Sequence, residues 1–190
     1  VNDVMGNLAS GNELVSITQP TATYGYMGSG ATVSGQQAFV VSLDPAIRGG
    51  SDLQLELVAD DGTQSWTSLV DLTVSGPGAE VQVVSLGSGY INPGTSTTLE
   101  VTLEHVGDLA TAGITASISS NSHWMSVIDG DGTFGGMSAG GTSTNSGDNF
   151  TISAAADCYP GHVATLNLDL VFAEGGTATV PVLLSVGTAA

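Results

Sequence analysis

Apolar side chains fall on every second residue through most of this chain. Leu99, Val101 and Leu103 alternate with Glu100, Thr102 and Glu104, and Ala164, Leu166, Leu168, Leu170 and Phe172 alternate with Thr165, Asn167, Asp169 and Val171. The triplets Ile114, Ala116, Ile118 and Phe150, Ile152, Ala154 keep the same spacing. A strand turns successive side chains to opposite faces, so this period sends one face to a core and the other to water. No stretch shows the 3.6-residue period of an amphipathic helix. Turn signals separate the runs at Asp60-Asp61-Gly62, Asn92-Pro93-Gly94, Asp129-Gly130-Asp131-Gly132 and Glu174-Gly175-Gly176. Many short strands with regular turns predict an all-β sandwich or barrel. Val180, Val182, Leu184 and Val186 continue the alternation, and Pro181 among them predicts an edge strand or a bulge.

An internal repeat fixes the organisation. When the chain is slid so that Val4 lies on Ile114, Leu8 falls on Ile118, Ser16-Ile17 on Ser126-Val127 and Gly30 on Gly140. Thr23-Tyr24-Gly25-Tyr26-Met27 then lies on Thr133-Phe134-Gly135-Gly136-Met137. With small gaps, Phe39 and Val41 match Phe150 and Ile152, and Leu53–Leu57 matches Leu166–Leu170. Two domains are expected: residues 1–76, then residues 79–187, joined by Gly76-Pro77-Gly78. The second is complete. The first has no counterpart to the strands at Glu80–Leu86 and Ser96–Glu104, so it is expected to lack the first two strands of its sandwich. Val41, Leu43, Leu53, Leu55 and Leu57 should then be left partly uncovered.

The order of features in the second repeat carries a resemblance. An opening strand leads to Asn92-Pro93-Gly94-Thr95 and an alternating strand, followed by a loop with Gly107 and a strand ending in Ser119-Ser120-Asn121. Then come Val127-Ile128, Thr133-Phe134-Gly135, Ala139-Gly140-Gly141, Phe150-Thr151-Ile152-Ser153 and Pro160-Gly161-His162. This order resembles the immunoglobulin-like (CARDB-like) tandem repeats of large secreted bacterial proteins, such as those downstream of gingipain-like cysteine peptidase domains. The resemblance spans about Val1 to Gly187. It implies tandem immunoglobulin-like β-sandwiches and export, and it implies no activity, because its motifs are structural.

Charge narrows the partners. The chain has 18 acidic residues and one basic residue, Arg48, for a net charge of −17. Phosphate binding needs Lys and Arg to displace counterions, so nucleic acid is excluded, and an anionic membrane surface is disfavoured on the same ground. No run of about 18 apolar residues predicts a membrane-spanning helix. Val1 opens no signal-peptide pattern, so export would mean a leader already removed or a parent chain that is longer. Trypsin-like proteases would find almost no cleavage site, which suits an extracellular or cell-surface setting.

Candidate chemistry is sparse. Cys158 and His162 share one loop, Asp157-Cys158-Tyr159-Pro160-Gly161-His162, without a group to orient the imidazole, so a free loop thiol or an intermolecular disulfide is expected rather than a nucleophile. His105, His123 and His162 have no zinc-ligand spacing. Asp129 and Asp131 are the candidate metal ligands, for calcium, weighed against a tight hairpin turn made of Asp and Gly. Asp60 and Asp61 carry the same ambiguity. Trp66, Trp124, Tyr24, Tyr26, Tyr90 and Tyr159 are weighed as a sugar-stacking platform against core packing. No cofactor is expected, calcium apart, and no enzyme activity. The expected function is a non-catalytic structural or adhesive module of a surface filament or stalk, assembled by β-strand complementation from neighbouring copies of itself or an upstream segment. The alternative is a carbohydrate- or surface-binding accessory module of a secreted hydrolase or peptidase.

Overall fold

The computed structural model describes residue 1 and residues 3–187. The described residues form fifteen strands and no helix, so the fold class is all-β, with antiparallel sheets packed as sandwiches. Two compact units divide the chain: Val1–Ile47 with Ser51–Val74, and Arg48–Gly50 with Ser75–Ala190.

In the second unit, one sheet has the order β11 (Asp131–Met137), β9 (Thr111–Ser120), β14 (Val163–Phe172), β15 (Thr177–Ser185). The facing sheet begins β10 (Met125–Asp129), β13 (Phe150–Ala154), β8 (Ser96–His105). Ser96–Leu99 of β8 pair with β13, and Thr102–Glu104 pair with the short β12 (Thr142–Thr144), which therefore continues β13's line. β7 (Ala79–Leu86) runs antiparallel to β8 from Leu99 to His105. The alternating residues meet between the sheets: Leu99, Val101, Leu103, Phe150, Ile152, Leu166, Leu168 and Val182 are fully buried. Pro181 sits in β15, which ends its sheet, as the missing N–H requires. Arg48 pairs with Glu80 at 2.9 Å on the surface, where such a bridge contributes little.

In the first unit, one sheet has the order β3 (Thr21–Gly25), β1 (Val4–Ser10), β5 (Asp52–Asp60), β6 (Ser65–Thr73). Facing it are two strands only, β2 (Val15–Gln19) and β4 (Val40–Leu43). Leu8, Val15, Leu53 and Leu55 make a small core, with Ile17, Phe39, Val41, Leu57 and Val70 packed against it.

The repeat is visible residue by residue in the registers. β2 pairs with β4 as Val15↔Leu43, Ser16↔Ser42, Ile17↔Val41 and Gln19↔Val40, skipping one residue after Ile17. β10 pairs with β13 as Met125↔Ala154, Ser126↔Ser153, Val127↔Ile152 and Asp129↔Thr151, skipping one residue after Val127. Leu8 N–H donates to the Pro20 carbonyl at 2.8 Å, and Ile118 N–H donates to the Gly130 carbonyl at 2.8 Å. Gly30 and Gly140 both turn the chain at positive φ, 72° and 70°, where a side chain would be strained.

Two expectations need correction. Asp129-Gly130-Asp131 is no hairpin turn: β10 pairs with β13 and β11 with β9, so at Gly130 the chain passes from one sheet to the other. Leu53–Leu57 does not match Leu166–Leu170 either. Leu8 faces Leu57, and Ile118 faces Leu168, so Leu55 stands in the place of Leu166, two residues from the expected position.

Candidate functional site

The strands β2 and β4 of the first unit reproduce β10 and β13 of the second, where β13 carries β8 on its other side. Nothing among the described residues pairs with the corresponding side of β4. That side presents unpaired backbone donors and acceptors, the usual template for strand addition.

The side chains beside that edge are more exposed than their counterparts. By register, Trp66, Val70 and Leu72 of β6 share the inward face with Ala59, Leu55 and Leu53 of β5. Leu72 is 40% exposed and Val70 half-buried, whereas Leu184 and Val182, which occupy their places in the second unit, are 4% and 0% exposed. Phe39 and Val41 are half-buried, whereas Phe150 and Ile152 are 0% exposed. In the second unit the difference is made by β8, whose Leu99, Val101 and Leu103 fill the core, and by β7, which lies against β15. The expected uncovering is therefore correct for Leu43, which is exposed, and for the half-buried Val41 and Leu57, but not for Leu53 and Leu55. The pair β2–β4 still lies over the middle of β5, and the uncovered ground runs along β4 and toward β6. Trp66, expected in a core, is 44% exposed, and its counterpart Ala178 is itself only half-buried in the second unit.

The other candidates are placed elsewhere. Cys158 is a free thiol only 4% exposed, inside the hydrophobic core of the second unit. Burial pushes its thiol above the ordinary range, and Asp157 adds to the rise. That corrects the expectation of a loop thiol open to a second chain: a buried, protonated thiol is a poor partner for disulfide exchange. His162 Nδ1 lies 3.1 Å from the Tyr159 hydroxyl and Nε2 lies 3.3 Å from Ser122 Oγ. Trp124 meets Tyr159 and His162 edge-on, with ring planes 79° and 65° apart. Rings so crossed close the loop end against itself rather than lay out a flat stacking surface. Tyr26 and Tyr90 are exposed singly, and Tyr159 is exposed at the edge of the cluster with Trp124 and His162.

Asp129 and Asp131 are both exposed, at the end of β10 and the start of β11. Among the described residues, no three His, Cys, Asp or Glu side chains gather where they could hold a metal ion. Asp60 and Asp61 hold their own turn: Asp60 Oδ1 accepts from Gly62 N–H at 2.7 Å, and Asp61 Oδ1 accepts from Thr63 and Gln64 N–H at 2.9 and 2.8 Å. Those amides, Gln64's foremost, keep the Asp61 carboxyl below its usual range. The pentad Gly136-Met137-Ser138-Ala139-Gly140 fits the Gly-x-Ser-x-Gly pattern. A nucleophile elbow needs a strand-to-helix turn, and here β11 ends in a non-helical turn.

No protein-family model matches the chain, and a search of curated proteins finds no match to it. Among the described residues, no helix is long and apolar enough to cross a membrane.

Proposed function

We propose that this chain is a non-catalytic structural module of an extracellular or cell-surface assembly, joined to its neighbours by β-strand complementation. The observation that carries this is the open side of β4 with inward apolar residues exposed beside it, set against a second unit in which the same places are paired and buried. Fully burying a large apolar side chain is worth about 1.5–3 kcal/mol, and each partly covered residue beside β4 would gain a fraction of that from an added strand. Main-chain pairing supplies affinity, and alternate side chains supply selectivity. The immunoglobulin-like resemblance and the scarcity of Lys and Arg support an exported setting.

The test is electron microscopy of the native material, paired with the variant Trp66→Ser/Leu72→Ser. Ordered oligomers or filaments that the variant loses are the expected result. Monomers under all conditions, or assemblies indifferent to the variant, would contradict the proposal. A sugar-binding role has less behind it, since the aromatic rings form no common platform.

A further inference from the structure

We infer that the open side of β4 accepts a two-stranded segment built like β7–β8 from outside residues 1–187, and that its arrival turns Thr32–Ser34 into a further strand. This rests on the strand-complementation reading and names the partner and register within it.

The second unit shows what belongs there. β8 pairs with β13 as Leu99↔Phe150, Thr98↔Thr151, Thr97↔Ile152 and Ser96↔Ser153. Because β4 matches β13 in register, an incoming strand sets its Leu99-like residue opposite Phe39 and its Thr97-like residue opposite Val41. The same strand of the second unit goes on to pair Thr102, Leu103 and Glu104 with Thr144, Ser143 and Thr142 of β12, a strand hydrogen-bonded to β8 alone. Counting on from Gly30 and Gly140, Thr32-Val33-Ser34 occupies the place of Thr142-Ser143-Thr144. Thr32–Ser34 has no strand structure, as expected when the strand that would pair with it is missing. The second strand of the donor, like β7, covers the region of Val70, Leu72 and Val74, whose counterparts Val182, Leu184 and Val186 are 0–4% exposed.

The donor's chemistry follows. Its inner strand carries uncharged, apolar residues at alternate positions, as Leu99, Val101 and Leu103 do, each fully buried. The folded second unit of another copy offers no such segment, because its own β7 and β8 are engaged. The donor is thus an extended segment with the β7–β8 pattern from outside residues 1–187, distinct from the folded second unit of another copy. One polar contact of the second unit has no counterpart at this seat: Asn145, whose side chain accepts from Val101 N–H at 2.8 Å, has Gly35 at its place. The donor is held there by main chain alone.

The probe is a synthetic peptide with the sequence of residues 78–106, added to the full chain. Amide hydrogen exchange is followed at Val40–Leu43 and Thr32–Ser34. At roughly 90% occupancy, exchange at both segments slows roughly tenfold, in proportion to the unbound fraction. A control peptide carrying Leu99→Asp, Val101→Asp and Leu103→Asp gives no slowing. Equal slowing by the control, slowing along β6 but not β4, or slowing at Val40–Leu43 without Thr32–Ser34 would each overturn the inference. Electron microscopy separates it from the broader reading: assemblies joined at another edge leave the structural role standing, and peptide seating without native assembly leaves the acceptor edge standing.

Discussion

Gly132 is buried against the ring of Phe150, and a Cβ built there would come within 2.5 Å of Phe150 Cε1. Phe150 is fully buried and has nowhere to retreat, so Gly132→Ala should destabilise the second unit by about 1–3 kcal/mol, the usual penalty of overpacking. Urea unfolding followed by Trp124 fluorescence measures it; an unchanged midpoint would show that the ring shifts freely. Asp108 gives a pH-dependent case. Its carboxylate accepts from Gly76 N–H and from Ser75 Oγ–H, both at 2.8 Å. The amide first, then the hydroxyl, hold its carboxyl below the ordinary Asp value. A folded-state value below the unfolded one means stability that is present above the unfolded value and is lost as pH falls through the folded one. Stability in acid should therefore fall less steeply in Asp108→Asn than in the parent, and a carboxyl NMR titration should place Asp108 below the exposed aspartates. Parallel acid profiles would contradict this.

At the scale of elements, burial and exposure separate two kinds of apolar residue in the first unit. Leu55 is 1% exposed under β2–β4, so Leu55→Ala should cost about 2–5 kcal/mol. Leu72, 40% exposed on the same face, should cost the free chain far less when changed to Ser while weakening assembly. Thermal melts of the two variants, set beside sedimentation, distinguish the roles; equal losses of stability would mean that both side chains are core. The strands themselves were largely legible in the sequence, because period-2 alternation is a direct image of which face is buried. Their register was not. Leu53, Leu55 and Leu57 alternate with polar residues, so a slide of two residues keeps every side chain on its face, and only pairing to Leu8 decides the match. Gly130 was opaque for a related reason: Asp-Gly-Asp-Gly suits a hairpin turn, yet Pro20 at the matching place shows that a sheet-to-sheet crossing is what both units share. The unpaired side of β4 was foreseeable because residues 1–76 hold no counterpart to β7 and β8, but the exposure of Leu72 depends on which strand lies over which, and that is a three-dimensional fact.

For the whole molecule, a net charge of −17 opposes the approach of any two copies. Screening shortens that repulsion to about 8 Å near 0.15 M salt, while strand pairing and apolar burial are less weakened. Assembly followed by light scattering should therefore increase from low to moderate sodium chloride, and a decrease would point to ionic contacts instead. The acceptor edge on β4 remains the central claim, and a high-resolution cryo-EM map of native assemblies tests it most directly. The account requires a strand from outside residues 1–187 of the same copy running antiparallel along Val40–Leu43, with apolar side chains over Leu57 and Val70. A map in which that side of β4 faces solvent in every subunit would contradict it.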